Sequence, residues 1–422
     1  MRNFPPPIRL PEALPCVQPV VSRLSNGVAL HAVCAGSQDV VRVSLSFEAG
    51  SRFQRRMLEA GATLALLSEG TGRFSGAQVA ENFDFLGSSY EQHLDKDFAM
   101  LTVYSLARRL QKTLETLSEV VLHPTFPEAE LRTYCAKRKQ QLRIDKERVA
   151  CVAREQLPAL LYGRSHPYGA YAEPEQYDVL TREWLHSFHG TFFTADRCFI
   201  VATGRVGERE RRMIGDFFEQ IPCSPGTPPP PPPLPAVEPS GKSVAIEKRG
   251  AVQSALRVGR VMFDKSHPDF AAVHVLTVIL GGYFGSRLMR NIRESKGYTY
   301  GIFASPVTYR HTGYLSIGAE VGREFCGATL EEISKELQRL CDEPISDDEL
   351  ALVKNHLCGE VMRSLDGPWA IAESVIEDLQ SGLTTSYAET LFGTIKSVTA
   401  AQLQQVAQKY FHPQSMTSVT VG

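Results

Sequence analysis

The sequence lacks most of the features that announce a function. It has almost no net charge: 45 Lys and Arg stand against 47 Asp and Glu in 422 residues, a formal −2. That balance creates no long-range field for nucleic acid or an anionic membrane. The two signs are interspersed, so no basic stripe marks a nucleic-acid groove. The longest apolar run, near 270–280, falls far short of the roughly 20 residues that cross a bilayer. Residues 1–23 are broken by proline every few positions and hold no apolar stretch of the signal-peptide kind. The nine cysteines are scattered, odd in number and never spaced C-x-x-C. Neither a zinc knuckle nor a disulfide framework is signalled. A cytoplasmic, reducing environment is the location these absences predict. A G-x-S-x-G nucleophile elbow is missing as well.

The length and the 43% apolar composition predict two or three domains. The strongest punctuation is residues 221–241, IPCSPGTPPPPPPLPAVEPSG, with unbroken proline from Pro228 to Pro233. Such a run is extended polyproline II and reads as a semi-rigid spacer; its rival reading is a docking ligand for an SH3-like domain. The expected organisation is a first domain over 1–220, a linker over 221–241 and a second domain over 242–422.

The two halves repeat one plan. REWLHSFHGTFFTADRCFIVATG, ending the first at Gly204, matches AAQLQQVAQKYFHPQSMTSVTVG, ending the second at Gly422. Leu185 aligns with Leu403, Phe193 with Phe411 and Gly204 with Gly422 at a single offset. FPEAELRTYCAKRKQQL, from Phe126, is echoed by PISDDELALVKNHLCGEV, from Pro344, so the recurrence is a duplication and not a short repeat. Each half alternates strand-like and helix-like segments. Residues 41–47, 98–106, 255–263 and 298–305 predict strands. Residues 61–67, 110–122, 128–143 and 270–279 predict helices, with Leu110, Leu114, Leu117 and Val121 on one face of the second of these. The expected fold class is α+β: two duplicated domains, each a mainly antiparallel sheet with helices packed on one face.

Four blocks in order give the chain a resemblance to the M16, or pitrilysin-like, metallopeptidases. They are AGSRFQ with SEGTGRFS (49–54 and 68–75), residues 86–132, LYGRSHPYG (161–169) and GGYFGSRLMRNIRESKGYTYGIFAS (281–305). The resemblance covers nearly the whole chain. Active members of that family carry an inverted zinc motif, H-x-x-E-H, on a helix between the two parts of the first block. Two histidines on one helix face bind the metal, the glutamate between them activates water, and a later glutamate completes the coordination. Here those positions are Gly61, Leu64 and Ala65, and the third ligand falls near Gln140 and Gln141. None of these supplies a ligand or moves a proton. Two other groupings, Glu183 with His186 and His189, and His93 with Asp95 and Asp97, have metal-like spacing but read as solvated surface. His166 reads as shaping a turn with Pro167.

The fourth block keeps a second part of the machinery. Arg293 and Tyr300 stand seven apart with Gly297 between them. The resemblance implies that this pair contacts the substrate backbone and the oxyanion at a zinc site across a chamber. An arginine fork and a phenol hydroxyl are both donors that need no deprotonation, so they can act from a separate subunit. The bland reading is that Arg293 caps a helix and Tyr300 fills a strand face. The resemblance therefore implies a non-catalytic subunit, without a cofactor of its own, that forms a heterodimer with a zinc-bearing H-x-x-E-H partner and acts on peptide substrates. The alternative is a purely structural scaffold subunit.

Overall fold

The computed structural model describes Leu14, residues 18–224, Gly226 and residues 241–422. Most of the proline-rich segment, including Pro228 to Pro233, lies outside the described residues.

The first half holds strands β1 (Val20–Arg23), β2 (Ala29–Cys34), β3 (Val40–Phe47), β4 (Ser89–Leu94), β5 (Ala99–Leu106) and β6 (Cys198–Gly204). Its helices are α1 (Glu59–Leu66), α2 (Gly76–Leu86), α3 (Leu110–Leu122), α4 (Glu128–Glu147), α5 (Val149–Tyr162), α6 (Arg182–Phe192) and α7 (Glu208–Phe218). The second half holds β7 (Ser243–Ile246), β8 (Gln253–Met262), β9 (Thr299–Thr308), β10 (Gly313–Gly322) and β11 (Thr417–Val421). Its helices are α8 (Phe270–Thr277), α9 (Cys326–Asp342), α10 (Asp347–Arg363), α11 (Pro368–Gln380), α12 (Tyr387–Ser397) and α13 (Ala400–Tyr410).

The strands form two sheets, ordered β1-β2-β6-β3-β5-β4 and β7-β11-β8-β10-β9. All pairings are antiparallel except β2 with β6 and β7 with β11. Each sheet packs its own helices on one face, the α+β plan that the alternating patterns predict. The duplication is visible in the packing. Thr181 and Thr399 cap α6 and α13 at matching positions. Leu185 and Leu403, and Phe193 and Phe411, are buried in the two cores. Gly204 closes β6 at φ +105, where a side chain would strike the Val40 carbonyl oxygen at 2.3 Å.

The halves also exchange a helix, which the sequence patterns do not foretell. The second sheet's other face is covered by α5 from the first half: Ala153, Leu157 and Tyr162 pack with Ala255, Tyr314, Val419 and Val421. Reciprocally, Ile371, Val375 and Ile376 of α11 pack on Val33 and Val201 of the first sheet. Polar contacts fix both dockings. Tyr162 donates to the Gly313 carbonyl at 2.7 Å, and Arg42, buried in β3, pairs with Glu373 of α11 at 2.6 Å. Each sheet thus buries apolar surface against a helix that the other half supplies.

Candidate functional site

The zinc-motif helix of the resemblance is α1, and it is a packing element. Ala60, Ala62, Leu64 and Leu66 are buried in the first core. Glu59 accepts the backbone N–H groups of Arg55 and Arg56 at 3.0 and 3.3 Å, holding the helix start in place. A side chain at Gly61 would point at Leu94 of β4 and the Tyr134 hydroxyl of α4. Gln92 of β4 donates to the Leu64 carbonyl at 2.7 Å and to the Tyr90 hydroxyl at 2.6 Å. Gln141 turns along its own helix to Asp145 at 3.1 Å. The groups presented here by α1, β4 and α4 are apolar side chains, a phenol and amides, and these residues do not fit zinc. Among the described residues no group of three His, Cys, Asp or Glu side chains is placed to hold a metal.

The other metal-like groupings have structural roles. His189 is not solvated, contrary to its expected surface placement. It is enclosed by the Phe126 and Phe193 rings, its Nε2 lies 2.8 Å from the Val121 carbonyl, and burial pushes its pKa down to about 4. His186 packs edge-on against Phe126. Asp97 is buried as well: it pairs with Arg52 at 2.8 Å and accepts the Tyr168 hydroxyl at 2.7 Å. The Asp95 Oδ1 accepts the backbone N–H groups of Asp97 and Phe98. His166 Nδ1 accepts from the Tyr168 N–H at 3.2 Å, shaping the turn around Pro167.

Arg293 lies in a wide-turned helical segment, Met289–Ser295, of the π type that often accompanies functional sites. The segment is tied down on three sides. Leu288 and Ile292 are fully buried. Asn291 donates to the carboxylates of Glu332 and Glu336 on α9 at 3.0 and 2.8 Å, and Lys296 pairs with Glu332 at 3.3 Å. Arg287 forms a two-pronged pair with Glu349 of α10 at 3.0 and 2.7 Å. The guanidinium of Arg293 rests over the Phe284 ring, 4.6 Å from its centroid.

The chain then reverses at Gly297, whose φ of +67 is the left-handed conformation glycine favours. The Tyr298 N–H closes the reversal on the Ile292 carbonyl at 3.1 Å. Tyr300 follows on β9, the edge strand of its sheet, where the register with β10 shifts between Ala319 and Val321. A bulge of this kind re-aims side chains. Tyr300 is 93% exposed, which does not fit the bland alternative in which it fills a strand face. Arg293 thus rests on Phe284, and the Tyr300 phenol is open to solvent. Sequence reading passed over Phe284, Arg287 and Asn291, although all three fall within the 281–305 block. Their partners Glu332, Glu336 and Glu349 lie outside it, and only the four-residue spacing of the first two signals a shared helix face.

Two family descriptions match the chain: "Insulinase (Peptidase family M16)" over residues 32–169, and "Peptidase M16 inactive domain" over residues 180–357. An uncharacterised zinc protease of Bacillus subtilis is 23% identical over 80% of this chain and 81% of its own length. A probable mitochondrial-processing peptidase subunit beta of Arabidopsis thaliana is 22% identical over 95% of this chain and 78% of that protein. Among solved structures, a peptidase M16 inactive domain from Pseudomonas fluorescens superposes with a TM-score of 0.88 at 23% identity, covering 96% of this chain and 98% of that one. That likeness speaks to the fold.

The cytoplasmic expectation does not stand, because the Arabidopsis relative carries a mitochondrial name. Free thiols report only a reducing environment, which is not unique to the cytoplasm. Both family descriptions and the duplicated fold agree, and the chain belongs to the pitrilysin-like peptidase family M16.

Proposed function

We propose that this chain is the non-catalytic subunit of a heterodimeric zinc peptidase, bringing Arg293 and Tyr300 to a zinc site on an H-x-x-E-H partner. The supporting observation is a contrast within one molecule. Leu64 is buried in the core and Gly61 and Ala65 carry no donor atom, while the segment holding Arg293 is braced by Asn291 and Arg287 and Tyr300 is exposed. The Arg293 fork donates to peptide carbonyl oxygens and holds the substrate backbone. The Tyr300 hydroxyl donates to the oxygen on which negative charge develops as the peptide carbon becomes tetrahedral. Neither group gives up or accepts a proton in this role.

The test is co-expression with an M16 subunit that contains H-x-x-E-H. The two chains should co-sediment as one heterodimer that cleaves unfolded peptides, whereas this chain alone should cleave none. A tightly held equivalent of zinc and chelator-sensitive cleavage in the isolated chain would overturn the assignment. A stable pair whose cleavage ignores both Arg293 and Tyr300 would leave the scaffold reading in its place.

A further inference from the structure

Among the described residues, Arg257 on the α5-facing side of the second sheet forms no ion pair. Helix α5 covers that face over β11 and β8 and reaches the Gly313–Tyr314 end of β10, but Phe303 of β9 remains 43% exposed. Gly318 of β10 stands directly between Arg257 of β8 and Phe303 of β9, as register partner of both. The arginine and the ring lie together over the bare glycine. A side chain at position 318 would sit 2.6 Å from the Arg257 Nη1 and 2.7 Å from the Phe303 ring. Across the gap the guanidinium stacks on Phe303, 5.3 Å from its centroid.

Arg257 is half-buried, yet among the described residues it forms no ion pair. Its recorded hydrogen bond runs from Nη1 to the Leu256 carbonyl at 2.9 Å. Burial pushes its pKa down, Glu320 on the neighbouring strand acts against that, and Arg154 of α5 adds a second positive charge. A partly desolvated guanidinium with no carboxylate at ion-pair distance is costly, and most buried arginines are paired. Here the planar fork is oriented by a ring; the two together fill the space over Gly318, and the open space lies over Gly301, where a side chain would meet nothing within 4 Å. Such a fork matches the two oxygens of a carboxylate.

We propose that Arg257, stacked on Phe303 over Gly318, is a carboxylate-binding subsite that gives this chain a preference for acidic peptides. Phe303 lies three residues from Tyr300 along β9, a separation of about 10 Å in an extended strand. A substrate whose scissile bond meets Tyr300 therefore reaches Arg257 with a side chain, or with its C-terminus, a few residues away. The subsite rests on the reading of Arg293 and Tyr300 as substrate contacts, and it deepens that reading by naming a substrate class.

Peptide binding to the full chain tests it without requiring cleavage, so an inactive heterodimer and a missing subsite give different results. Three dye-labelled dodecapeptides of Ala, Gly and Leu serve as probes in fluorescence anisotropy. One has central Asp residues and an amidated C-terminus; the second has Asn in their place; the third has Asn and a free C-terminal carboxylate. The Asp peptide should bind about tenfold more tightly than its Asn counterpart, the scale of a charge-assisted hydrogen-bonded pair. Tighter binding of the third peptide instead would assign the subsite to the C-terminus. In Arg257→Gln the preference should vanish, and in Arg257→Lys, which keeps the charge but not the fork, it should shrink. Should Arg257→Gln fail to fold, Arg257→Lys decides alone. Equal binding of all three peptides, or a preference unaltered by either substitution, overturns the proposal.

Discussion

The Asp97 carboxylate of the first half accepts the backbone N–H of Arg310 in the second, at 2.9 Å. The same carboxylate pairs with buried Arg52 and accepts from Tyr168, whose ring lies flat on Tyr309 with centroids 4.3 Å apart. Arg310 in turn donates to the Leu379 and Gln380 carbonyls at the end of α11. One buried carboxylate thus joins the SHPYG turn, the β9–β10 connection and the exchanged helix.

Replacing that carboxylate should uncouple the halves. Asp97→Ala leaves Arg52 charged and unpaired in a buried site, and breaking such a pair costs roughly 3–5 kcal/mol. Urea denaturation of wild type and variant should show a loss of that order, with protease cleavage appearing first near 305–315. A change below about 0.5 kcal/mol, the range of ordinary surface substitutions, would show that the junction bears little stability.

Helix α11 should be equally sensitive from its apolar side. Ile376 is buried against the first sheet. Truncation in Ile376→Ala removes three carbon atoms and leaves a cavity, a change that costs about 2–4 kcal/mol. Because the helix is covalently part of the second half, thermal unfolding of both sheets should shift together. Two separated transitions, with the second sheet unaffected, would show that the exchanged helix does not couple the two sheets.

Asp378, also on α11, makes the pH dependence specific. It is buried with Oδ2 unpaired, and burial raises its pKa to about 7. The unfolded carboxyl ionises near the ordinary value of about 3.9, so the native state binds the proton more tightly. This group's contribution to stability is full at low pH and is lost as pH rises toward 7. His189 and His274, both lowered to about 4 by burial, act in the opposite sense, losing stability as pH falls from about 6.5 to 4. The difference between Asp378→Asn and wild type isolates the carboxyl: the variant should gain relative stability at pH 8 over pH 4. A difference that is flat across that range would remove Asp378 as a titrating group.

The proposed substrate contacts predict a kinetic pattern in the heterodimer. Tyr300→Phe removes a hydroxyl from an exposed ring, so folding and pairing should survive. Loss of an oxyanion donor should lower kcat by about 10²–10³, roughly 3–4 kcal/mol. Arg293→Ala should lower kcat and raise KM, since its fork holds the substrate before reaction. The double variant should lose less than the sum, because both groups act on one tetrahedral centre. Full additivity would place the two residues at separate steps.

The sequence by itself determined the local elements, the duplication and the lost ligand set. Period-two and amphipathic patterns found β3, β5 and α3 almost to the residue, because those segments bury one face in their own half. The identities of Gly61, Leu64 and Ala65 excluded ligation whatever the fold, since ligation requires donor atoms that these side chains do not have. Only the tertiary structure decided where the exchanged helices go. The apolar faces of α5 and α11 state that they are covered and not by which sheet, since hydrophobic burial is non-directional. Burial of His189 and Asp97 was hidden for a related reason: polar residues go inside only when distant partners satisfy them, here the Val121 carbonyl, Arg52 and Arg310. The Arg257–Gly318–Phe303 row could not be read from the sequence at all, because three residues on three strands become neighbours only through the register of two strand pairings.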